Sequence, residues 1–203
     1  MTEAGRDVKF LTMTELEAGL DEIRRSPRDA GVLNLIVRRP AVGRRELLDE
    51  AQLDEIEGLI GDNWSTRGSS RTADGSAHPD MQINVMNSRV ISLVAGARDR
   101  WHLAGDQLFF DMDLSEENLP AGTGLWVGEA IIVVTDQPHT GCRKFVERFG
   151  ADAMKFVNSS IGRELHLRGI NARVLRPGII RVGDVVTKLP INGPSSAHAV
   201  PDA

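Results

Sequence analysis

The chain has 203 residues, of which 41% are hydrophobic, and its formal net charge at pH 7 is −5. That length is sufficient for one domain with a real hydrophobic core. The longest uninterrupted apolar run is Ala130 to Val134, and the amino terminus is charged, so the sequence shows neither a transmembrane span nor a readable export signal. We therefore expect a cytoplasmic protein without a membrane partner.

Charge is unevenly distributed along the chain. Residues 1–138 carry 14 basic and 24 acidic side chains, whereas residues 139–190 carry ten basic and four acidic ones. A basic segment inside an acidic chain indicates a local anion site rather than a nucleic-acid surface, which usually requires a basic domain. Ordinary ion pairing within the chain is the other interpretation, and charge alone favours it. The sequence predicts no nucleic-acid partner.

The first predicted element is a helix over residues 14–27, within an amino-terminal extension formed by residues 1–30. Thr14 can cap this helix together with Glu17 three residues later, and Pro27 ends it. One face of the helix is apolar and consists of Leu16, Leu20 and Ile23. A β-rich run closed by Pro40 follows.

The next predicted segments are a loop and a mainly β middle region. Residues 43–64 mix strand and helix signals, and periodicity does not settle them. From Asn63 to Pro79 the sequence is polar and rich in glycine and serine, which predicts a mobile surface loop. Residues 81–96 then predict a strand followed by a short helix, and further strands are predicted between residues 106 and 138.

The last third of the chain predicts helices and then a return to strands. Apolar residues at helical spacing between residues 143 and 165 predict two or three short helices, with breaks at Gly150 and Gly162. Residues 171–189 alternate around two turn signals, which predicts a hairpin. Residues 190–203 form a predicted flexible tail.

The segment PHTGCRKF, residues 138–145, contains the only cysteine of the chain, Cys142. A lone cysteine cannot form an internal disulfide. A thiol binds metals and attacks electrophiles as the thiolate, which nearby cations and a helix start stabilise. Gly141 permits close approach of the backbone to a ligand, and Arg143 and Lys144 favour negative charge. From these residues alone, a reactive thiol and a buried structural cysteine are about equally supported.

Other candidate site residues surround this cysteine in the sequence. His139 can orient or deprotonate the thiol or donate a hydrogen bond to a ligand, and it can equally cap a turn. Arg168 and Arg173 lie five residues apart across a predicted loop-to-strand change, where a forked contact with a phosphate is plausible. The alternative is a structural ion pair with one of two nearby acids, Glu164 and Asp184.

Three segments, in order along the chain, resemble the MOSC domain, which is named for the carboxy-terminal domain of molybdenum cofactor sulfurases. They read GDQLFFDMDLSEENLPAGTGLWVG, GEAIIVVTDQPHTGCRKF and RGINARVLRPGIIRVGDVV. The resemblance covers residues 31–189, the predicted MOSC domain. It implies an α+β fold that is mainly β, with a barrel-like core and several short peripheral helices.

The resemblance also implies a molybdenum cofactor, in which a pyranopterin binds the metal. A cysteine of the family either binds molybdenum as a thiolate or carries sulfur as a persulfide, and Cys142 takes that place here. The resemblance implies that the pterin and its phosphate are held by six residues, Thr140, Gly141, Arg143, Lys144, Arg168 and Arg173. The lead-in PHTGC departs from that of several members, so the catalytic role of His139 is inferred locally.

Three functions are compatible with these residues. The first is a molybdenum-dependent oxidoreductase that reduces small N-hydroxylated substrates with electrons from a separate reductase. The second is a non-catalytic carrier of the cofactor or of persulfide sulfur, which requires a sulfur donor protein. The third is a thiol hydrolase that uses Cys142 and His139 as a dyad. Molybdenum content separates the first from the others, and one added sulfur atom on Cys142 identifies a persulfide carrier.

Overall fold

The computed structural model describes residues 9–190 of the chain. Its strands, in chain order, are β1 (Gly31–Arg38), β2 (Glu46–Leu48), β3 (Glu50–Asp54), β4 (Gly58–Leu59), β5 (Ile83–Asn87), β6 (Leu108–Asp111), β7 (Gly124–Val127), β8 (Ala130–Val134), β9 (Ile170–Arg176), β10 (Gly178–Arg181) and β11 (Val185–Lys188). Its α-helices are α1 (Met13–Ala18), α2 (Leu20–Arg24), α3 (Trp64–Arg67), α4 (Ser88–Ala95), α5 (Arg143–Phe149), α6 (Ala151–Asn158) and α7 (Ser160–Glu164). Two 3₁₀ helices span Pro79–Met81 and Arg98–Ala104.

Seven strands form a closed barrel. They are hydrogen-bonded in the order β11-β7-β8-β9-β5-β6-β1, and pairing between β1 and β11 completes the circle. Strands β5 and β6 pair in parallel, so the chain must cross over between them, and helix α4 provides this crossover. Closure leaves the barrel without open edges. The predicted α+β fold with a barrel-like core and short peripheral helices is confirmed.

Two hydrophobic cores lie on opposite sides of the barrel wall. Successive side chains of a strand point to opposite faces, so Phe110 of β6 fills the barrel interior while its neighbour Phe109 points to the helices. The outer core also buries Phe145 and Phe149 of α5 and Leu16 of α1. Helix α5 therefore has one fixed face against the barrel, which positions the residues at both of its ends.

The amino-terminal helix differs from the prediction in its start and its continuity. Its capping residue lies two positions earlier than the predicted Thr14, because Thr12 and Glu15 form the capping box, with Thr12 in extended backbone. Thr14 and Glu17 have the same spacing, but Thr14 lies inside α1, and a capping residue requires a non-helical backbone such as that of Thr12. The helix is also divided at Gly19 into α1 and α2. Ile23 on α2 is buried as the apolar face predicts.

The predicted hairpin in residues 171–189 is wrong. Three strands are present there, but β10 pairs with β3 in a separate three-stranded sheet, and β11 pairs with β7 and β1 in the barrel. The chain leaves the barrel after β9 at Pro177 and returns to it after the turn at Gly183. Alternation in the sequence predicts the strands correctly, but it contains no information on which distant strand each one joins.

Three helices follow the cysteine, as predicted, but only one of the two predicted breaks is correct. Gly150 separates α5 from α6. The second break occurs at Ser159, whose side chain accepts a hydrogen bond from the backbone of Gly162. Gly162 lies inside α7, where a side chain would collide with the carbonyl group of Phe156.

The predicted loop over residues 63–79 contains one short helix, α3, which begins at the buried Trp64. The mobility of this loop stays a prediction, as do the proposed domain boundaries. The predicted tail lies outside the described residues from residue 191 onward. Across residues 9–190, every helix is too short or too polar to cross a membrane.

Candidate functional site

Cys142 lies at the start of helix α5 with its thiol exposed to solvent. The segment that precedes it begins at the end of β8 and is held against α6 at Gly141. The backbone N–H of Gly141 donates to Asn158 Oδ1 at 3.0 Å, and a Cβ atom on Gly141 would lie 2.6 Å from Met154 Sδ. A tightly held backbone thus presents an exposed thiol, which argues against a buried structural cysteine.

A cleft of about 290 Å³ lies beside this segment. Residues 134–140 form one wall, and side chains from α6, α7 and the start of β9 form the other. Among the predicted site residues, His139 and Thr140 line the cleft, and Cys142 follows Thr140 by two positions. The cleft is large enough for a small ligand group.

His139 is enclosed by positively charged neighbours and one carboxylate. Its side chain is 11% exposed, and its Nδ1 atom lies 3.5 Å from Asp106 Oδ1. Burial, and then the charges of Arg168, Arg39 and Arg71, holds the pKa of His139 well below its usual value. The imidazole is therefore neutral at pH 7.

This lowered pKa predicts a loss of stability in mild acid. Below pH about 6.5 the histidine of the unfolded chain binds a proton, whereas folded His139 does not. Because the unfolded state then binds more protons, the free energy of unfolding should decrease as the pH falls from 6.5 towards the lowered folded pKa. The slope from this residue is at most about 1.4 kcal/mol per pH unit.

Urea unfolding between pH 7.5 and 5 measures this effect. The variant His139→Gln should show a shallower pH dependence than the unchanged protein, because glutamine does not titrate. His78→Gln serves as the control, since the side chain of His78 caps a 3₁₀ helix by accepting a hydrogen bond from the backbone of Asp80. Equal slopes in the unchanged protein and His139→Gln would contradict the prediction.

Arg168 forms an ion pair inside the protein. Its Nη1 atom donates to both oxygens of Asp106, at 2.9 and 2.8 Å, and its Nη2 atom donates to the carbonyl of Ala104 at 3.1 Å. Its guanidinium carbon also lies 5.1 Å from the ring centroid of Phe145. This is the structural ion pair left open as the alternative to a phosphate contact, with Asp106 as the partner in place of Glu164 or Asp184.

The other predicted cationic residues lie at the surface. Arg143 is 93% exposed and pairs with Glu147 at 3.1 Å, and Lys144 is exposed as well. Arg173, on β9, is 53% exposed and lies 3.9 Å from Asp80. The fold does not bring these three side chains together around the cleft.

Four other arginines converge where sequence reasoning found no site, and we call this group the arginine recess. Arg39 is 4% exposed and donates to Asp62 and to the carbonyl of Gly105. A Cβ atom on Gly105 would lie 3.7 Å from Arg45 Nη2 and 3.8 Å from Arg148 Nη1. The recess consists of Arg39, Arg45, Arg67 and Arg148.

Positive charge exceeds negative charge in the recess. Burial, followed by the charges of Arg148 and Arg39, lowers the pKa of Arg45. Burial and then Arg39 lower the pKa of Arg67 in the same way, and Asp62 opposes both shifts. The buried Arg45 Nε atom has no hydrogen-bond partner among the described residues. Spare donors and surplus positive charge suit a bound anion.

A chain of buried polar contacts connects the recess with the segment before the cysteine. Arg39 Nη1 donates to Asn84 Oδ1 at 2.9 Å, and Asn84 Nδ2 donates to Asn171 Oδ1 at 2.6 Å. Asn171 Nδ2 in turn donates to the carbonyl of Gln137 at 3.0 Å. Buried networks of this kind are rigid when their members are satisfied. The recess and the backbone leading to Cys142 are thus held in one framework.

Comparison with known proteins adds a family and a fold. The family model described as "MOSC domain" matches residues 77–187. The YuaD protein from Bacillus subtilis has 16% sequence identity and a TM-score of 0.60, over 78% of this chain and 95% of that one. A protein described as hypothetical has 22% identity and a TM-score of 0.51, over 77% of this chain and 68% of that one. YiiM from Escherichia coli has 22% identity and a TM-score of 0.49, over 78% and 69%. No curated protein matches.

Proposed function

Because the chain belongs to the MOSC domain family, we propose that it binds a molybdenum cofactor, with the Cys142 thiolate as the protein ligand of the metal. The observation that carries this proposal is an exposed thiol that follows the cleft-lining Thr140 by two residues, on a backbone segment joined by buried polar contacts to the arginine recess. When bound, molybdenum supplies redox chemistry that amino-acid side chains lack. The protein supplies binding, orientation and exclusion of water.

The two ends of the proposed site suit the two ends of such a cofactor. A thiolate is a soft ligand, so Cys142 suits the metal end, and arginines suit the phosphate at the pterin end. Arg148 follows Cys142 by six residues on α5, which corresponds to about 9 Å along the helix axis. Arg45, Arg67 and Arg148 would hold the phosphate with the donors that remain to them, since Arg39 is already committed to Asp62 and Arg148 Nη1 donates to the carbonyl of Leu103.

The cleft favours catalysis over carriage. A protein that only stores the cofactor or a persulfide needs no additional space beside the thiol, whereas this segment borders a cavity of about 290 Å³. We therefore propose reduction of small N-hydroxylated compounds, with electrons from a separate reductase. A thiol hydrolase is less well supported, because His139 lies against Asp106 and makes no hydrogen bond with Cys142 within the described residues.

Metal and phosphorus analysis tests the proposed function. The full chain is purified from a host that makes the cofactor and from one that cannot synthesise the pterin. We expect close to one molybdenum and one phosphorus per chain from the first host only, and reduction of an amidoxime by that protein with a chemical reductant. Loaded protein without turnover would indicate a cofactor carrier, and one added sulfur on Cys142 without metal would indicate a persulfide carrier.

Replacing Arg67 with glutamine should weaken retention of the cofactor. One charge-assisted hydrogen bond to a phosphate contributes about 1.5–3 kcal/mol, so affinity should fall roughly 10- to 150-fold. Cofactor loss during dialysis, followed by phosphorus content, measures the effect. Arg143→Gln is the matched control, because Arg143 lies at the surface outside the recess. Equal loss in both variants, or in neither, would contradict the proposed role of the recess.

A further inference from the structure

The two ring nitrogens of His139 have different surroundings. Nδ1 is buried, makes no hydrogen bond in the described structure and lies 3.5 Å from Asp106 Oδ1. Gly169, with φ of +109°, permits this approach, since a Cβ atom there would lie 3.1 Å from Nδ1. The ring also lines the cleft, and Nε2, which makes no hydrogen bond within the described residues, is not among the buried atoms that lack a partner, so it keeps some access to solvent. One nitrogen thus faces a carboxylate, and the other is open to a ligand.

Asp106 can only accept a hydrogen bond at this position. Its side chain is fully buried, and Arg168 Nη1 donates to both of its oxygens. A buried guanidinium cannot lose its proton and requires a compensating anion. Burial raises the pKa of Asp106, and the charge and hydrogen bonds of Arg168 oppose that shift and favour the ionised carboxylate in the pair. Its Oδ1 atom favours a proton on the Nδ1 atom that it faces.

A neutral imidazole carries one ring proton, so a proton on Nδ1 leaves a lone pair on Nε2. We propose that Asp106 is a positioning residue that fixes His139 in the Nδ1–H tautomer, so that Nε2 accepts a hydrogen bond from an N–H or O–H group of a ligand in the cleft. An anionic ligand group is disfavoured at that point, because a lone pair repels it.

The charged groups around the ring support a neutral imidazole. Arg168, Arg39 and Arg71 lie close enough to oppose a second proton, and Asp106 is the carboxylate in contact with the ring. The tautomer is a property of the protein without ligand. Only the prediction that a ligand donates a hydrogen bond to Nε2 rests on the proposed function. The tautomer can therefore be tested independently of molybdenum.

Nitrogen-15 NMR of the histidine rings in the unloaded full chain tests the inference. His139→Gln identifies the His139 signals by their disappearance. At pH 7.5 we expect a protonated Nδ1 and an unprotonated Nε2. If the spectrum of the unchanged protein shows a protonated Nε2 with an unprotonated Nδ1, or a doubly protonated ring, the inference is wrong. This result requires no variant at Asp106.

Asp106→Asn tests the part played by the carboxylate. Its amide group can donate to Nδ1, so the His139 signals should shift towards the Nε2–H tautomer. Asp111→Asn is the control, because Asp111 pairs with Arg89 outside the cleft and should leave these signals unchanged. An unchanged tautomer in folded Asp106→Asn would show that Asp106 does not set it. If Asp106→Asn does not fold, the tautomer observed in the unchanged protein decides whether the inference stands.

The outcomes separate this inference from the proposed function. A chain with the Nδ1–H tautomer but no molybdenum would overturn only the cofactor proposal. A chain that binds molybdenum but shows the Nε2–H tautomer would overturn only the role of Asp106. Binding of a ligand with an N–H donor should also shift the Nε2 signal. An analogue of that ligand that is methylated on both oxygen and nitrogen has no donor, and it should not shift the signal.

Discussion

Replacing Cys142 with serine should reduce molybdenum binding at least tenfold and leave the fold intact. The thiol is exposed, and its side chain makes no capping hydrogen bond to α5. Serine is a preferred residue at a helix N-cap, so the variant should be as stable as the unchanged protein or more stable by about 1 kcal/mol. A neutral hydroxyl is a poor ligand for a soft metal site, so at least tenfold less molybdenum should remain.

Alkylation of the same residue provides a second readout. Because Cys142 is the only cysteine, the number of labelled thiols per chain reports on this site directly. The unloaded protein should be labelled completely, and bound cofactor should protect it. Cys142→Ala separates ligation from capping, since alanine should also lose the metal but lacks the N-cap benefit. Unchanged molybdenum content in the serine variant would exclude Cys142 as the ligand.

Local signals explain why most of the fold could be predicted. Strands β6 to β8 are short apolar runs bounded by glycine, proline and aspartate residues. The transition from β5 into α4 occurs at Asn87, which caps the helix through its side chain. Such patterns depend on neighbouring residues only. The partner of β10 depends on β3, more than a hundred residues earlier in the chain, so no local pattern specifies it. The absence of a local signal for this pairing explains why a hairpin was wrongly predicted for residues 171–189.

The same distinction applies to the candidate site. Cys142 was found because a lone cysteine between a glycine and two cations is visible within five residues of sequence. The arginine recess draws on residues that precede α3, on α3 itself and on α5, and these share no spacing or motif. For Arg168 a phosphate contact and a structural ion pair were both predicted as possibilities, but the partner that it has, Asp106, lies 62 residues away and was not foreseen. The only sign of this ion pair in the sequence was an aspartate at residue 106 shortly before a mostly apolar segment, Leu108–Asp111, that forms a buried strand.

Removing the carboxylate of Asp62 should destabilise the protein more than any substitution at the cleft. Asp62 is fully buried and accepts hydrogen bonds from the Arg39 guanidinium, from the Arg39 backbone and from the backbone N–H of Trp64. Asp62→Ala leaves a buried guanidinium without its anion. Breaking such a pair costs about 3–5 kcal/mol of unfolding free energy.

Urea unfolding at pH 7.5 measures this loss, and Glu147→Ala is the matched control. Glu147 pairs with Arg143 at the surface, where a salt bridge contributes only about 0.2–1 kcal/mol. The double variant Arg39→Met with Asp62→Leu should recover much of the stability, because no buried charge is left uncompensated. It should not recover anion binding, since Arg39 also fixes Asn84 and the carbonyl of Gly105 on which the recess is built. A stable double variant that still retained the cofactor would show that the recess does not depend on this buried pair.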